Sequence, residues 1–324
     1  MLIRAIGLIA TAVCLLTAAP VGAQPAKVPR IGVLWQTSPP PPIHPHISAL
    51  LNNLQDLGWH EGKTVAFEYR YAGNDAVRLD ELASELVRLK VDVIVTAGDL
   101  STRAAQQATT TTPIVALLGL PVESGFAKSL SRPGGNVTGF AVIGVELSAK
   151  RLELLKELVP RLRRVAVLWD PVTHERQLEA VEAAARRLGL EAHVLHAKSE
   201  REFEPAFEAA RKVRAEAMLV MISPMYVGKR DELVRLAARY RMPAIYHSPA
   251  FTEVGGLIAY GPSLDEQWQK VAGTIDRILK GARAAELPFQ QPTRFDLDVN
   301  LKAAREIGLE VPQSIRMRTS RVIE

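Results

Sequence analysis

The sequence predicts an α/β protein of two doubly wound, Rossmann-like lobes, each built on a parallel sheet. Two observations carry that expectation. Apolar strand-like runs alternate with helical stretches along most of the chain, the pattern of a parallel sheet covered by helices on both faces. The pattern is also written twice: "PRIGVLWQ" at 29–36 returns as "RRVAVLWD" at 163–170, with the same apolar positions, the same Trp and a polar residue after it. Further landmarks return in the same order and at comparable offsets. Leu57-Gly58 returns as Leu188-Gly189, "VDVIVTAG" (91–98) as "AEAMLVMIS" (215–223) and "PIVAL" (113–117) as "PAIYH" (243–247).

Taken in order, "RIGVLW" leads to a helix over 43–57, "VAFEYRY" to one over 77–90, "VDVIVTA" to one over 100–109, and "PIVALL" to a short one near 123–131. The series restarts at "RVAVLW", followed by helices over 174–188, 203–214 and 227–240 that separate "EAHVLHA", "AMLVMIS" and "PAIYHS". After these come "GGLIAYG" (255–261), a helix over 264–280 and a tail from "FDLDVN". The lobes are expected at 27–141 plus 257–285 and at 145–255 plus 290–324, with crossovers near 139–145, 250–257 and 284–293. Between the halves, "SRPGGNVTGF" (131–140) lacks both the Lys-Ser/Thr ending of a nucleotide phosphate loop and the G-x-G-x-x-G spacing of a dinucleotide fold. Pro133-Gly134-Gly135-Asn136 reads instead as a tight turn that needs positive φ.

At 324 residues the chain is long enough for two cores, and 48% hydrophobic with 23% charged residues is ordinary for a folded protein. Residues 1–23 read as a secretory signal peptide: a basic start, an apolar run too short to span a membrane, and small residues before Gln24. The single cysteine, Cys14, lies inside that run, so the mature chain is expected without cysteine, soluble and periplasmic. Loss of Arg4 with the leader lowers the formal charge of +5 by one. Charges of both signs are mixed along helical faces, and the densest basic cluster, "RLRR" (161–164), has no aromatic interleaving, so no nucleic acid is expected.

Several stretches together resemble the tryptophan-transporter-like family of solute-binding proteins for ATP-binding-cassette importers. They include "NNLQDLGWHEGKTVAFEYRYA", "LVRLKVDVIVTAG", "PGGNVTGF", "LVRLAARYRMPAIYHSPAFTEVGGLIAYGPS", "ILKGARAAELPFQQPTRFDLDVNLKAAREIGLEVPQSI" and the ending "RVIE". The resemblance implies a type I periplasmic-binding fold, with two lobes joined by three crossovers and a ligand between them. It also implies delivery of that ligand to a permease in the inner membrane by a monomeric, cofactor-free protein. The same chain could instead serve as the sensing subunit of a membrane receptor. Two positions depart from the family pattern. Leu120-Pro121-Val122 stands where members often read Asp-Pro-Val, and Ser223-Pro224-Met225 where amino-acid-binding relatives place an Asp-Asn pair.

Ligands of open parallel sheets bind beyond the carboxyl ends of the strands. That rule selects Trp35, Gln36, Thr37, Gly98, Asp99, Ser101 and Leu120 in the first lobe, and Asp170, Ser223, Met225, Tyr226 and His247 in the second. The helix start at Ser101 would offer free N–H groups to a carboxylate, while Trp35, Leu120, Met225 and Tyr226 would cover an apolar body. With two family acids replaced, the expected ligand is an aromatic or apolar organic acid, unless Asp99 or Asp170 points into the cleft and restores a site for an amino acid. His44-Pro45-His46 is too sparse for a metal site in a mature chain without cysteine, and the prolines around it read as a rigid lip. The sequence contains no G-x-S-x-G, H-E-x-x-H or Walker motif, which leaves an enzyme such as a two-lobed transferase as the lesser reading.

Overall fold

The computed structural model describes residues 28–38, 45–142, 144–173 and 175–324. The leader, Cys14, His44 and the prolines before it lie outside the described residues. The first lobe is assembled from β1 (Arg30–Trp35), α1 (Pro45–Asp56), β2 (Ala66–Tyr71), α2 (Ala76–Arg88), β3 (Val93–Ala97), α3 (Asp99–Ala108), β4 (Ile114–Leu118) and β5 (Val137–Ala141). Its sheet is parallel throughout, in the order β2-β1-β3-β4-β5. The chain then builds α4 (Gly144–Leu158), β6 (Arg164–Trp169), α5 (Glu175–Leu188), β7 (Glu191–His196), α6 (Phe203–Lys212) and β8 (Ala217–Val220). It continues with α7 (Pro224–Gly228), α8 (Arg230–Arg239), β9 (Ala244–Tyr246), α9 (Pro249–Thr252) and β10 (Ile258–Pro262). These strands pair in parallel in the order β7-β6-β8-β9-β10, the arrangement of the first sheet repeated.

The repeat seen in the sequence is therefore a repeat of topology. Trp35 and Trp169 end β1 and β6, the strands next to the edge at which each sheet reverses its winding. Both strands are buried from their second residue onward, because helices cover the sheet on both sides. Each sheet accordingly has an apolar cluster on either face. Leu50, Leu54, Trp268 and Ile275 lie on one side of the first sheet, with Leu79, Leu82 and Leu86 on the other. Leu152, Leu155 and Val181 oppose Phe203, Phe207 and Leu236 across the second.

Three passages join the lobes. The first leaves β5 for α4, inside the expected 139–145. The second departs from expectation: β10 pairs with β9 and with the antiparallel β11 (Phe295–Asn300), so residues 257–262 sit in the second sheet and not in the first lobe. The chain crosses at Ser263 and not at 250–257, because α9 is a single turn that only delivers β10 alongside β9. From there α10 (Leu264–Leu279) packs against α1 in the first lobe. A bridge between Phe140 and Gln290 keeps the following segment on β5. The third passage is thus 291–294, after which β11, α11 (Leu301–Glu306), α12 (Gln313–Arg316) and β12 (Arg321–Ile323) complete the second lobe. No helix forms at 123–131, where turns close on the carbonyls of Leu120, Pro121 and Val122. The helix expected over 227–240 is divided at Lys229, between α7 and α8. Gly134 has φ +75°, as its turn requires.

Two of the passages are fastened to each other. Ser263 N–H donates to the Arg294 carbonyl at 3.0 Å, and the Arg294 guanidinium donates to Ser263 Oγ at 3.1 Å. Glu266, in the first turn of α10, accepts from the N–H groups of Thr293 and Arg294, from the Thr293 hydroxyl, and from Lys270 Nζ at 2.8 Å. Burial alone would raise its pKa, but the hydrogen bonds outweigh burial and hold the carboxyl at about 2. A carboxylate depressed in the folded state stabilises above its unfolded pKa and loses that contribution as pH falls through the folded one. Glu266→Gln is expected to cost about 2 kcal/mol at neutral pH. In chemical denaturation the deficit should narrow between about pH 4.5 and pH 2.

Candidate functional site

The winding of each sheet reverses between β1 and β3 and between β6 and β8, and the loops leaving those strands separate to open a crevice. The two crevices face each other. Between them lies a cavity of about 160 Å³. From the first lobe it receives Trp35 and Gln36 after β1, Gly98 and Asp99 after β3, and Leu117 to Leu120 at the end of β4. From the second lobe come Asp170 after β6, Gln177 of α5, Ser223 and Pro224 after β8, and His247 and Ser248 after β9. The passage between β10 and α10 closes the floor with Pro262, Leu264 and Gln267.

Eight of the sequence-selected residues line this cavity: Trp35, Gln36, Gly98, Asp99, Leu120, Asp170, Ser223 and His247. Four do not. Met225 and Tyr226 turn into the second core, where the Tyr226 hydroxyl donates to the Ala197 carbonyl and its ring meets Phe203 edge-on. They belong to α7, whose first turn is held by the Ser223 cap, and that cap directs the following residues inward. Ser101 is fully buried and is the third residue of α3; its hydroxyl bonds back to the Ala97 carbonyl. The half-buried start of that helix at the cavity is Gly98-Asp99, and the acid at Asp99 already occupies the positive end of the helix dipole. Thr37 is buried against Gly228 of the facing lobe, with no hydrogen-bond partner for its hydroxyl.

Sequence reasoning missed Ser124, Gln177 and Gln267. Ser124 donates to Asp99 Oδ2 at 2.6 Å and fixes that carboxylate at the cavity wall. Gln177 lies on a helix face that the strand-end rule does not reach; its Oε1 is buried without a partner. Asp170 mirrors Asp99: it accepts from Ser223 Oγ at 2.6 Å and from the Val172 N–H. Burial raises its pKa against the pull of those bonds. His247 is moved the other way, by burial first and by the nearby Arg151 second, to about 3, so its imidazole is neutral. Two carboxylates, one from each lobe, therefore stand in a mostly apolar cavity whose other polar side chains are neutral, and among the described residues lining it there is no lysine or arginine. No described group of three or more His, Cys, Asp or Glu could hold a metal ion.

The lobes touch across the cleft. Arg176 of α5 pairs with Glu123 at 3.0 Å, and Gly98 and Gly228 each leave no room for a methyl group, against Pro224 and Thr37 respectively.

A family model described as ABC transporter substrate binding protein matches residues 40–323. The tyrosine-binding protein of Clostridioides difficile is 23% identical over 261 residues, which cover 79% of this chain and 74% of that protein. A conserved domain protein of Vibrio cholerae superposes with a TM-score of 0.83 at 23% identity, over 91% of this chain and all of the other. A Streptococcus domain solved in complex with L-Trp gives 0.81 at 23% identity, over 91% and 99% of the two chains.

Gly98 offers a direct test of how closely the lobes must approach. Its φ is +83°, and a Cβ there would lie 2.8 Å from the Pro224 ring of the opposite lobe. Gly98→Ala is therefore expected to strain the loop and to prop the cleft open. Small-angle scattering should give a larger radius of gyration for the variant under saturating ligand, with near-wild-type circular dichroism. An unchanged radius would show that the lobes do not depend on this contact.

Proposed function

The chain belongs to the ABC transporter substrate-binding protein family, and from that premise we propose that its ligand is an amino acid with an aromatic or apolar side chain. One observation carries the reading: Asp99 and Asp170 line one mostly apolar cavity from opposite lobes, with no lining Lys or Arg among the described residues. A bare carboxylate would be repelled there, whereas an ammonium group would receive the two partners that its burial requires. The acids absent at Leu120 and Ser223 are replaced by neighbours on other loops, which favours the amino acid over the simple organic acid.

The body of the ligand rests on Trp35, Leu117, Leu120 and Val172. Cavities of about 150 Å³ accept a benzene-sized ring, which fits an aromatic side chain. The names of the two relatives, one tyrosine-binding and one solved with L-Trp, support the same class. As a periplasmic, cofactor-free monomer without catalytic activity, the protein would close on its ligand and pass it to the inner-membrane permease. No described helix is long and apolar enough to cross a membrane, and the mature chain would begin at Gln24. Mass spectrometry of the periplasmic fraction checks that start; an intact Met1 or a lipid on Cys14 overturns it.

Calorimetry against L-tryptophan, L-tyrosine and L-phenylalanine tests the ligand class. At least one is expected to bind, and Asp99→Asn and Asp170→Asn are each expected to weaken it 30-fold or more, the cost of roughly 2 kcal/mol for an ammonium that loses its partner. Asp170 provides a second readout. A carboxyl whose pKa is raised by burial costs stability when ionised, so Asp170→Asn should melt at an equal or higher temperature than the wild type without ligand. Tight binding of aryl carboxylates in place of amino acids would overturn the reading.

A further inference from the structure

Behind the cavity lies a cation that the ligand reading has not used. Arg151 of α4 is 1% exposed, and its Nε donates to the Tyr260 carbonyl at 2.7 Å. Its Nη2 is buried with no hydrogen-bond partner, and among the described residues it forms no ion pair. A buried guanidinium without a counter-charge is costly, and folds rarely keep one without a use. Gly261 brings it close to His247: a Cβ at that glycine would lie 3.8 Å from Arg151 Nη2 and 2.0 Å from the His247 carbonyl, and Tyr260 and His247 are the titratable side chains that act on it or feel it. His247 stands at the cavity wall, and its Nδ1 is likewise buried without a partner. β9, which delivers His247, lies two strands from β6, which delivers Asp170, or about 10 Å along the sheet edge. The second lobe's side of the cavity thus runs from a carboxylate at one end to a neutral imidazole backed by a positive charge at the other.

We propose that Arg151 reads the carboxylate end of the ligand as a positioning residue, acting through the neighbouring His247, which lines the cavity. The inference rests on the amino-acid reading and adds the source of discrimination between an amino acid and the corresponding amine. The imidazole supplies one N–H donor and one acceptor. On this proposal the acceptor nitrogen turns to the guanidinium and the donor is left for an anion in the cleft. The charge also favours that anion at short range, where little water screens it.

The test compares L-tryptophan with tryptamine, and L-tyrosine with tyramine, by calorimetry on wild type, Arg151→Met, Arg151→Lys and His247→Leu. Wild type is expected to prefer the amino acid by about 100-fold, the discrimination of a desolvated charge-assisted contact. In Arg151→Met and His247→Leu the preference should fall to roughly 10-fold or less through weaker amino-acid binding, with the amine within threefold of its wild-type affinity; Arg151→Lys should keep most of it. Parallel losses for both ligands would make Arg151 a structural residue and overturn the inference alone. If Arg151→Met gives no cooperative melt, His247→Leu decides, and an unchanged preference there overturns it. Wild-type protein that binds none of the four probes would overturn the amino-acid reading, and this inference with it.

Discussion

The fastening of residues 293–294 to Ser263 and Glu266 is the constraint on which the rest depends. Two parallel sheets of the same strand order make a binding site only if their carboxyl edges face each other, and three thin passages of chain must hold them so. Two of these passages run side by side, joined by the Ser263 and Arg294 bonds and by the buried carboxylate of Glu266. These bonds lie at the junction and not at the cleft mouth. A ligand-driven closure, if the lobes undergo it, would turn about this line, as hinged domains do when a few connecting residues absorb the motion.

The cleft itself is built at some cost to the fold. The described buried side-chain atoms that lack a partner include Thr37 Oγ1, Gln177 Oε1, His247 Nδ1 and Arg151 Nη2, all in or immediately behind the cleft. Two further such atoms, His193 Nε2 and Arg230 Nε, belong to residues that do not line the cavity, but native cores leave few of them, and four of the six described lie at the cleft. Polar groups that are held in place by the fold, but not satisfied by it, add to ligand affinity because little reorganisation remains to be done on binding. Asp170 shows the same economy. Its bonds to Ser223 and Val172 fix its direction, while burial keeps it reluctant to ionise in the absence of a cation.

Much of this was legible in the sequence, for reasons that differ by level. The doubled "VLW" strand and the returning Leu-Gly helix ends reveal two copies of one lobe, since buried parallel strands read as continuous apolar runs. The strand-end rule then reaches Trp35, Asp99, Asp170 and His247, because loop positions after a strand are fixed by topology. It fails once a helix begins. Whether Ser101, Met225 or Tyr226 faces the cleft or the core depends on where the first turn starts, and a shift of one residue rotates a side chain by about 100°. It also cannot find Gln177, which reaches the cavity from a helix face, or show that β10 adds to the second sheet, since a strand does not state which edge it will join.

The distribution of charge is the property least visible in the sequence, yet it determines which molecules the cleft can accept. Asp99 and Asp170 are far apart in the chain and come together because the same switch point is used in both lobes; Arg151 lies on a helix that no strand-end rule would inspect. In water at physiological ionic strength, opposite charges of this kind would be screened beyond about 8 Å. Inside a closed cleft they persist, and each penalises a ligand that cannot match it. A hydrocarbon leaves the two acids unpaired, an amine leaves the guanidinium behind His247 without an anion, and a simple acid meets carboxylates from both lobes. A zwitterion with an apolar body answers all three conditions at once. On the proposed reading, selectivity in this cleft would arise from the groups that a wrong ligand leaves unsatisfied, while the apolar walls, which would accept many rings, would contribute affinity and little discrimination.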